Sequence, residues 1–365
     1  MVTPDLDDIS SWQYDLPAEL IASRPAARRD DSRLMIVRRD SGRIEHGQIR
    51  DLPELLSAGD LLLFNNTKVL PARLFGFRTS TQGKWEGLFL EEMSDGHWKI
   101  VGQTRGRLTV GESLTLIPAS EIGPTPARRP SQSGDALQLK LVERFDDGTW
   151  LVVPSQQGTS IQLLEQFGTL PLPPYIGRKV ADANDRQRYQ TVFANEPGAI
   201  AAPTAGLHFT PELLQRCAEK GIASSEVTLH VGIGTFRPVS SQRLSEHKMH
   251  SEWGRLPVDT ANSIASTRAS GGKVVAVGTT SVRTVEAAAK SGTLAGWEGS
   301  TDLFIKPGFE FNVADQLLTN FHLPGSTLIV LVAAIAGYDL IMEAYRQAVS
   351  QKYRFYSYGD AMLIL

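Results

Sequence analysis

The order of apolar and polar positions changes its period twice along this chain, and those changes divide it. Near the start, apolar runs LMIV and LLLFNN are bounded by turn residues and read as strands. The first is joined to RIEHGQI through Asp40-Ser41-Gly42 as a hairpin, and LPELLSAG between the two reads as a short helix closed by Gly59. From Ala72 onward the helical period is lost. Short strands ARLFGFR, WEGLFLEEM, HWKIVGQT, SLTLI, LQLKLVERF and TWLVVP follow at close spacing, which predicts a small antiparallel β-barrel or sandwich. After Pro154 strands and helices alternate to the end of the chain, the pattern of an α/β fold. The expected organisation is an α/β domain built from 1–71 and 153–365, interrupted by an all-β insert at 72–152.

The stretch from Pro197 to Pro238 carries the densest chemistry. Thr210 reads as a helix N-cap, followed by Pro211 at the first helical position and Glu212 in the first turn, where the dipole favours an acid. The helix PELLQRCAEK stops at Gly221, and the strand VTLHV follows, running into Gly232-Ile233-Gly234-Thr235. His208 and His230 each lie beside a glycine-containing turn, where backbone can approach a ligand closely. Either histidine alone reads equally as structural. Together with Thr204, Thr235 and Arg237 they mark a candidate binding site.

Three further constellations join it. KVVAVGTTSVRTVEA is a strand, a Gly-Thr-Thr-Ser loop and a helix start, with Thr279 and Thr280 as cap hydroxyls and Arg283 in a first turn that disfavours a cation. It lacks both the Walker and the dinucleotide glycine patterns, so a carboxylate or a phosphate would suit it. SEHKMHSEWG offers His247, His250 and Glu252; acid–base work, a metal pair or a surface turn are the readings open to it. LLLFNN runs into Asn65, Asn66, Thr67 and Lys68, at the end of a buried strand where α/β folds place ligand groups, or equally an Asx turn with an exposed lysine. Asn320 and His322 stand beside a Pro-Gly turn, and as lone residues are more often structural.

Composition narrows the class. The chain has 365 residues, 41% hydrophobic and 21% charged, in the range of soluble globular proteins. A net charge of −3 means that a nucleic-acid partner must be held by a local basic patch. The single cysteine, Cys217, excludes an internal disulfide and a multi-cysteine zinc site, and fits a reducing compartment. The acidic first residues do not read as a secretory signal. TLIVLVAAIAG, the most apolar run, is far short of the roughly 18 residues a membrane span needs and reads as buried core. The expected location is cytoplasmic, away from any membrane. The segment ASEIGPTPARRPSQSGD within the insert is rich in Pro, Ser and Arg and is expected to be a mobile loop.

PGAIAAPTAGLHFT, VTLHVGIGTFRPV, HKMHSEW, VVAVGTTSVRTVEAA, LLTNFHLPGSTLIVLVAA and YRFYSYGDAMLI resemble the S-adenosylmethionine:tRNA ribosyltransferase-isomerases of queuosine biosynthesis. YDLPAELIASRPAARRDDSRLM and LLLFNNTKVLPARLFG do so as well, and the resemblance fails mainly in the insert. It implies an α/β fold with a distorted (β/α) barrel-like main domain and an inserted small β-barrel. The implied reaction joins the ribosyl portion of S-adenosylmethionine to 7-aminomethyl-7-deazaguanine at the tRNA wobble position. The sugar is rearranged to an epoxycyclopentanediol, and adenine and methionine leave.

That chemistry needs a base, an acid and an anion clamp, with S-adenosylmethionine as co-substrate and no metal. For proton transfer the candidates are His250 with Glu252, and His208 or His230. The candidates for substrate binding are Asn66, Thr67, Lys68, Arg73, Thr204, Thr235, Arg237, Thr279, Thr280, Arg283, Asn320 and His322. The implied partner is a tRNA with a GUN anticodon, met by a monomer, with Arg24, Arg28, Arg29, Arg178, Arg186 and Arg188 as candidate backbone contacts. The rival readings are a non-catalytic tRNA-binding protein and a metal-dependent hydrolase.

Overall fold

A computed structural model describes residues 4–123, 136–232, 234 and 241–365. The expected mobile loop lies largely outside these residues, as do Thr235 and Arg237. The chain forms two compact units. One comprises 1–68, 188–196 and 202–365, and the other 69–187 and 197–201. The second unit therefore runs further along the chain than the 72–152 of the sequence reading.

The first unit is organised on a nine-stranded mixed sheet. Its order is Trp297–Thr301, Glu252–Leu256, Ala223–Leu229, Leu61–Asn65, Val274–Val277, Gln316–Asn320, Ala361–Ile364, Arg33–Arg38 and Arg43–Gln48. Four central neighbours, Ala223–Leu229, Leu61–Asn65, Val274–Val277 and Gln316–Asn320, are parallel, so their carboxyl ends share one edge. Glu252–Leu256 runs antiparallel to Ala223–Leu229 and starts at that same edge. The expected hairpin pairs Arg33–Arg38 with Arg43–Gln48. Among the described residues no pairing joins the two outer strands, so a barrel-like main sheet is not confirmed.

Both faces of the sheet are covered, which is why residues 61–64 and Val274–Val277 are apolar at every position. Along Leu61–Asn65, Leu62 and Phe64 pack with Phe209, Leu213 and Cys217, while Leu61 and Leu63 pack with Ala261, Ile264 and Val285 on the other face. The first face is covered by the helix Pro211–Glu219, whose N-cap Thr210 accepts a hydrogen bond from the Leu213 N–H at 3.1 Å. The second is covered by the helices Val258–Ala269 and Thr279–Ala288. Further along the second face, the apolar helix Thr327–Ala336 is buried with Met35, Val37, Leu317 and Tyr345. Among the described residues no single helix is long and apolar enough to cross a membrane; Thr327–Ala336 and Tyr338–Ser350 form a pair bent by 118°.

The second unit contains the six predicted strands of the insert as a closed antiparallel barrel. Arg73–Arg78, Lys84–Glu92, Trp98–Thr104, Trp150–Pro154, Gln138–Arg144 and Ser113–Leu116 are neighbours in that order, and the last pairs back to the first. Gly87 and Gly102 are opposite each other, and a Cβ on either would meet the Trp85 ring at 2.3–2.7 Å. Those glycines let the indole lie flat across two strands.

Candidate functional site at the strand carboxyl ends

An open α/β sheet exposes its chain turns, and the ends of neighbouring helices, at the carboxyl edge of its parallel strands. Here that edge gathers Asn66 and Thr67 after Leu61–Asn65, His230 after Ala223–Leu229, Gly278 before the helix Thr279–Ala288, and Asn320 at the end of Gln316–Asn320.

The first two strands are locked together by side chains. Asn65 donates to the Leu229 carbonyl at 3.1 Å and accepts from the Leu229 and Thr67 amides at 3.0 and 3.1 Å. Asn66 donates to Glu226 at 2.9 Å and accepts from the Thr228 hydroxyl at 2.8 Å. This lock fixes Thr67, whose hydroxyl lies 2.8 Å from Nδ1 of His230. The imidazole also stacks on Trp253, ring centroids 4.9 Å apart and planes 19° from parallel. The other ring nitrogen, Nε2, has no hydrogen-bond partner among the described residues. Burial lowers the His230 pKa below its ordinary value, opposed by Glu196 and assisted by Arg255. His230 is thus a half-buried neutral imidazole with one nitrogen oriented and the other open.

Glu252 stands one residue before Trp253. It accepts from the Gly232 amide at 2.9 Å and forms a buried ion pair with Arg283. Arg283 also donates from Nε to the Leu303 carbonyl at 3.2 Å. The cation in this helix turn is therefore compensated by a protein carboxylate. Glu252 pairs with Arg283 and Gly232 and has no hydrogen bond to His250 among the described residues. His250 is exposed, and its ring lies where a Cβ on Gly234 would come within 2.5 Å of Cδ2. His247 packs edge-on against Phe304, its pKa lowered first by burial and then by His250. Gly278 caps the helix at φ 90° and ψ 152°, a conformation reserved for glycine, and offers no side chain to the first turn.

The remaining predicted residues are placed differently. His208 is buried, accepts from Asn320 Nδ2 at 3.0 Å through Nε2, and is bonded to the Arg29 backbone. Burial pushes its pKa down to about 4. Its hydrogen bonds to Asn320 and to the Arg29 backbone fix it within the fold. His322 is held down to about 3 by burial, 2.9 Å from the Thr319 hydroxyl, and its carbonyl accepts from Tyr14. Thr204 begins the short 3-10 turn Thr204–His208, and Lys68 is exposed. Arg73 belongs to the second unit, where it pairs with Glu86 at 3.5 Å.

Of the expected tRNA-facing arginines, Arg29 donates to the Leu207 and Gln190 carbonyls at 3.0 and 2.8 Å, and burial lowers its pKa to about 10. Arg188 donates to the Ala26 and Ala27 carbonyls, Arg28 pairs with Asp30, and Arg178 pairs with Asp185 in the second unit. Among the described residues no group of three or more His, Cys, Asp or Glu is arranged to hold a metal ion.

Trp253 was not singled out in the sequence; the signal for it is its place beside Glu252 at the start of a strand.

The chain is similar over nearly its whole length to proteins of one name. S-adenosylmethionine:tRNA ribosyltransferase-isomerase of Symbiobacterium thermophilum is 48% identical over 362 residues, 98% of this chain and 99% of that protein. The protein of the same name from Thermotoga maritima is 45% identical over 357 residues, with the same coverage. The crystal structure of S-adenosylmethionine tRNA ribosyltransferase from Thermotoga maritima matches at a TM-score of 0.54 and 37% identity, over 98% of this chain and all of that one. The profile of the queuosine biosynthesis protein family matches residues 9–364, and the chain belongs to that family.

Proposed function

We propose that this chain is an S-adenosylmethionine:tRNA ribosyltransferase-isomerase of queuosine biosynthesis whose chemistry occurs at the carboxyl edge of the parallel strands. Family membership supports the reaction class. The observation that carries the location is the Thr67–His230 pair, an oriented neutral imidazole with an open nitrogen beside a buried ion pair.

His230 is the proton-transfer group. The sulfonium of S-adenosylmethionine acidifies the adjacent C5′–H of its sugar, and His230 Nε2 takes that proton. Adenine is expelled, the aminomethyl group of the modified base attacks as a neutral amine, and ring closure releases methionine. Thr67 and Trp253 hold the imidazole in place. A positioned base contributes roughly 10²–10⁴-fold in rate. These steps require no metal. Asn66, Thr279, Thr280 and Arg283 line the S-adenosylmethionine site.

The RNA partner is a tRNA with a GUN anticodon carrying 7-aminomethyl-7-deazaguanine, met by a monomer in the cytoplasm. A loop base can be splayed out of its stack for such chemistry. Arg24, Arg28 and Arg186 are the candidate phosphate contacts, whereas Arg29 and Arg188 hold backbone carbonyls in place. The test is incubation with precursor tRNA and S-adenosylmethionine. Free adenine and methionine in equal amounts support the proposal; tRNA binding with S-adenosylmethionine left intact refutes it.

A further inference from the structure

Arg283 is 93% buried, being 7% exposed, yet its hydrogen bonding is incomplete. Nη1 meets Glu252 and Nε meets the Leu303 carbonyl, but Nη2 has no partner among the described residues. The Thr280 hydroxyl, three residues earlier, is buried and unpartnered as well. Residues at i and i+3 share a helix face, so Thr280 in the first turn of Thr279–Ala288 and Arg283 in the next project from one side of the helix. That ten-residue helix also has no side-chain cap on its first N–H groups. Buried polar groups left unpaired cost stability and call for an explanation, of which a ligand is one.

Glu252 decides the kind of ligand. A carboxylate has about four lone-pair positions. Here one oxygen accepts from the Gly232 amide and the other from Arg283, so acceptor capacity remains. The pair is neutral overall and presents a donor side and an acceptor side. A phosphodiester would find its charge opposed by Glu252 and would bring no cation to satisfy it. A zwitterion matches both sides.

We propose that Glu252, Arg283, Thr280 and the amino end of this helix form the subsite for the α-amino-acid end of S-adenosylmethionine. This rests on the functional reading above and assigns one part of that site. The carboxylate is received by Arg283 Nη2, the Thr280 hydroxyl and the first-turn amides. The α-ammonium is received by Glu252, which is therefore a binding residue and has no acid–base role. The position fits the reaction. Gly232 follows His230 by two residues, and the His230 amide donates to the Trp253 carbonyl at 2.9 Å, next to Glu252. Two methylenes separate the α-carbon of the methionine portion from its sulfonium. A zwitterion held here keeps the sulfonium, and the C5′ carbon bonded to it, on the His230 side of the site.

The test compares S-adenosylmethionine with its decarboxylated analogue on the full-length protein and on Thr280→Val, which keeps the side-chain shape and leaves the ion pair intact. A hydrogen bond to a charged group is worth about 10- to 150-fold. Loss of the carboxylate therefore lowers kcat/KM by at least tenfold in the unmodified protein, and Thr280→Val narrows that discrimination by about tenfold or more. Equal use of both compounds by the unmodified protein, or an equal loss on both caused by Thr280→Val, overturns the subsite. Consumption of neither compound overturns the functional reading instead, and the subsite with it.

Discussion

Replacing Glu252 by alanine strands Arg283. The Glu252 and Arg283 side chains are 6% and 8% exposed, so solvent screens the pair little. Breaking a buried pair by removing one partner costs about 3–5 kcal/mol, because the charge left behind has neither water nor counter-ion. The Gly232 amide also loses its acceptor, adding about 1 kcal/mol. Replacing both partners, as Glu252→Ala with Arg283→Met, removes the stranded charge and recovers most of the loss. The assay is urea unfolding of the two single variants and the double variant, read by tryptophan fluorescence at the transition of the first unit, where Trp253 adjoins the pair. A loss below about 1 kcal/mol for Glu252→Ala, or a double variant as unstable as the two singles summed, refutes the reasoning.

Three further outcomes follow from the same geometry. Thr67→Val removes the hydroxyl that orients His230, so kcat falls by about tenfold or more with KM little changed, and Thr67→Ser restores it; equal activity in all three contradicts the orienting role. Because burial lowers the His230 pKa below its ordinary 6.5, the acid limb of kcat/KM is centred below pH 6.5, and a limb centred above 6.5 contradicts the assignment. His208, held at about 4 in the fold against 6.5 when unfolded, stays neutral while the unfolded chain takes up protons. Its stability contribution is full above pH 6.5 and is lost between 6.5 and 4, at about 1.4 kcal/mol per pH unit. His208→Asn reduces that slope by one proton; an unchanged slope refutes the account of His208.

The sequence carried the local structure further than the site. Thr210-Pro211, the hairpin turn at Gly42 and the six short strands of the insert have strong local signals, and the structure places a helix, a hairpin and a barrel there. The short strands without helical period left a barrel or a sandwich open, and the pairing of Ser113–Leu116 back to Arg73–Arg78 decides for the barrel. The order of the main sheet was not legible. It depends on long-range pairing such as Ala361–Ile364 against Arg33–Arg38, more than 320 residues apart, which no local pattern encodes. The histidines show the same limit. His208 and His230 have equivalent sequence settings, each beside a turn with glycine. Only the fold reveals that Asn320 and the Arg29 backbone close both nitrogens of one, while Thr67 leaves one nitrogen of the other open. Arg283 was legible as a misplaced cation in a first turn. Its partner, 31 residues away, was not, and the expected compensation by a ligand is met first by Glu252.

The account depends on His230 taking the C5′ proton, and label at that carbon follows the step directly. With S-adenosylmethionine tritiated at C5′ and precursor tRNA in a single turnover, the unmodified protein releases tritium to water together with adenine. His230→Gln, with its circular dichroism and unfolding midpoint preserved, is predicted to slow that release by about 10²–10⁴-fold. Tritium release from His230→Gln at the unmodified rate contradicts the account.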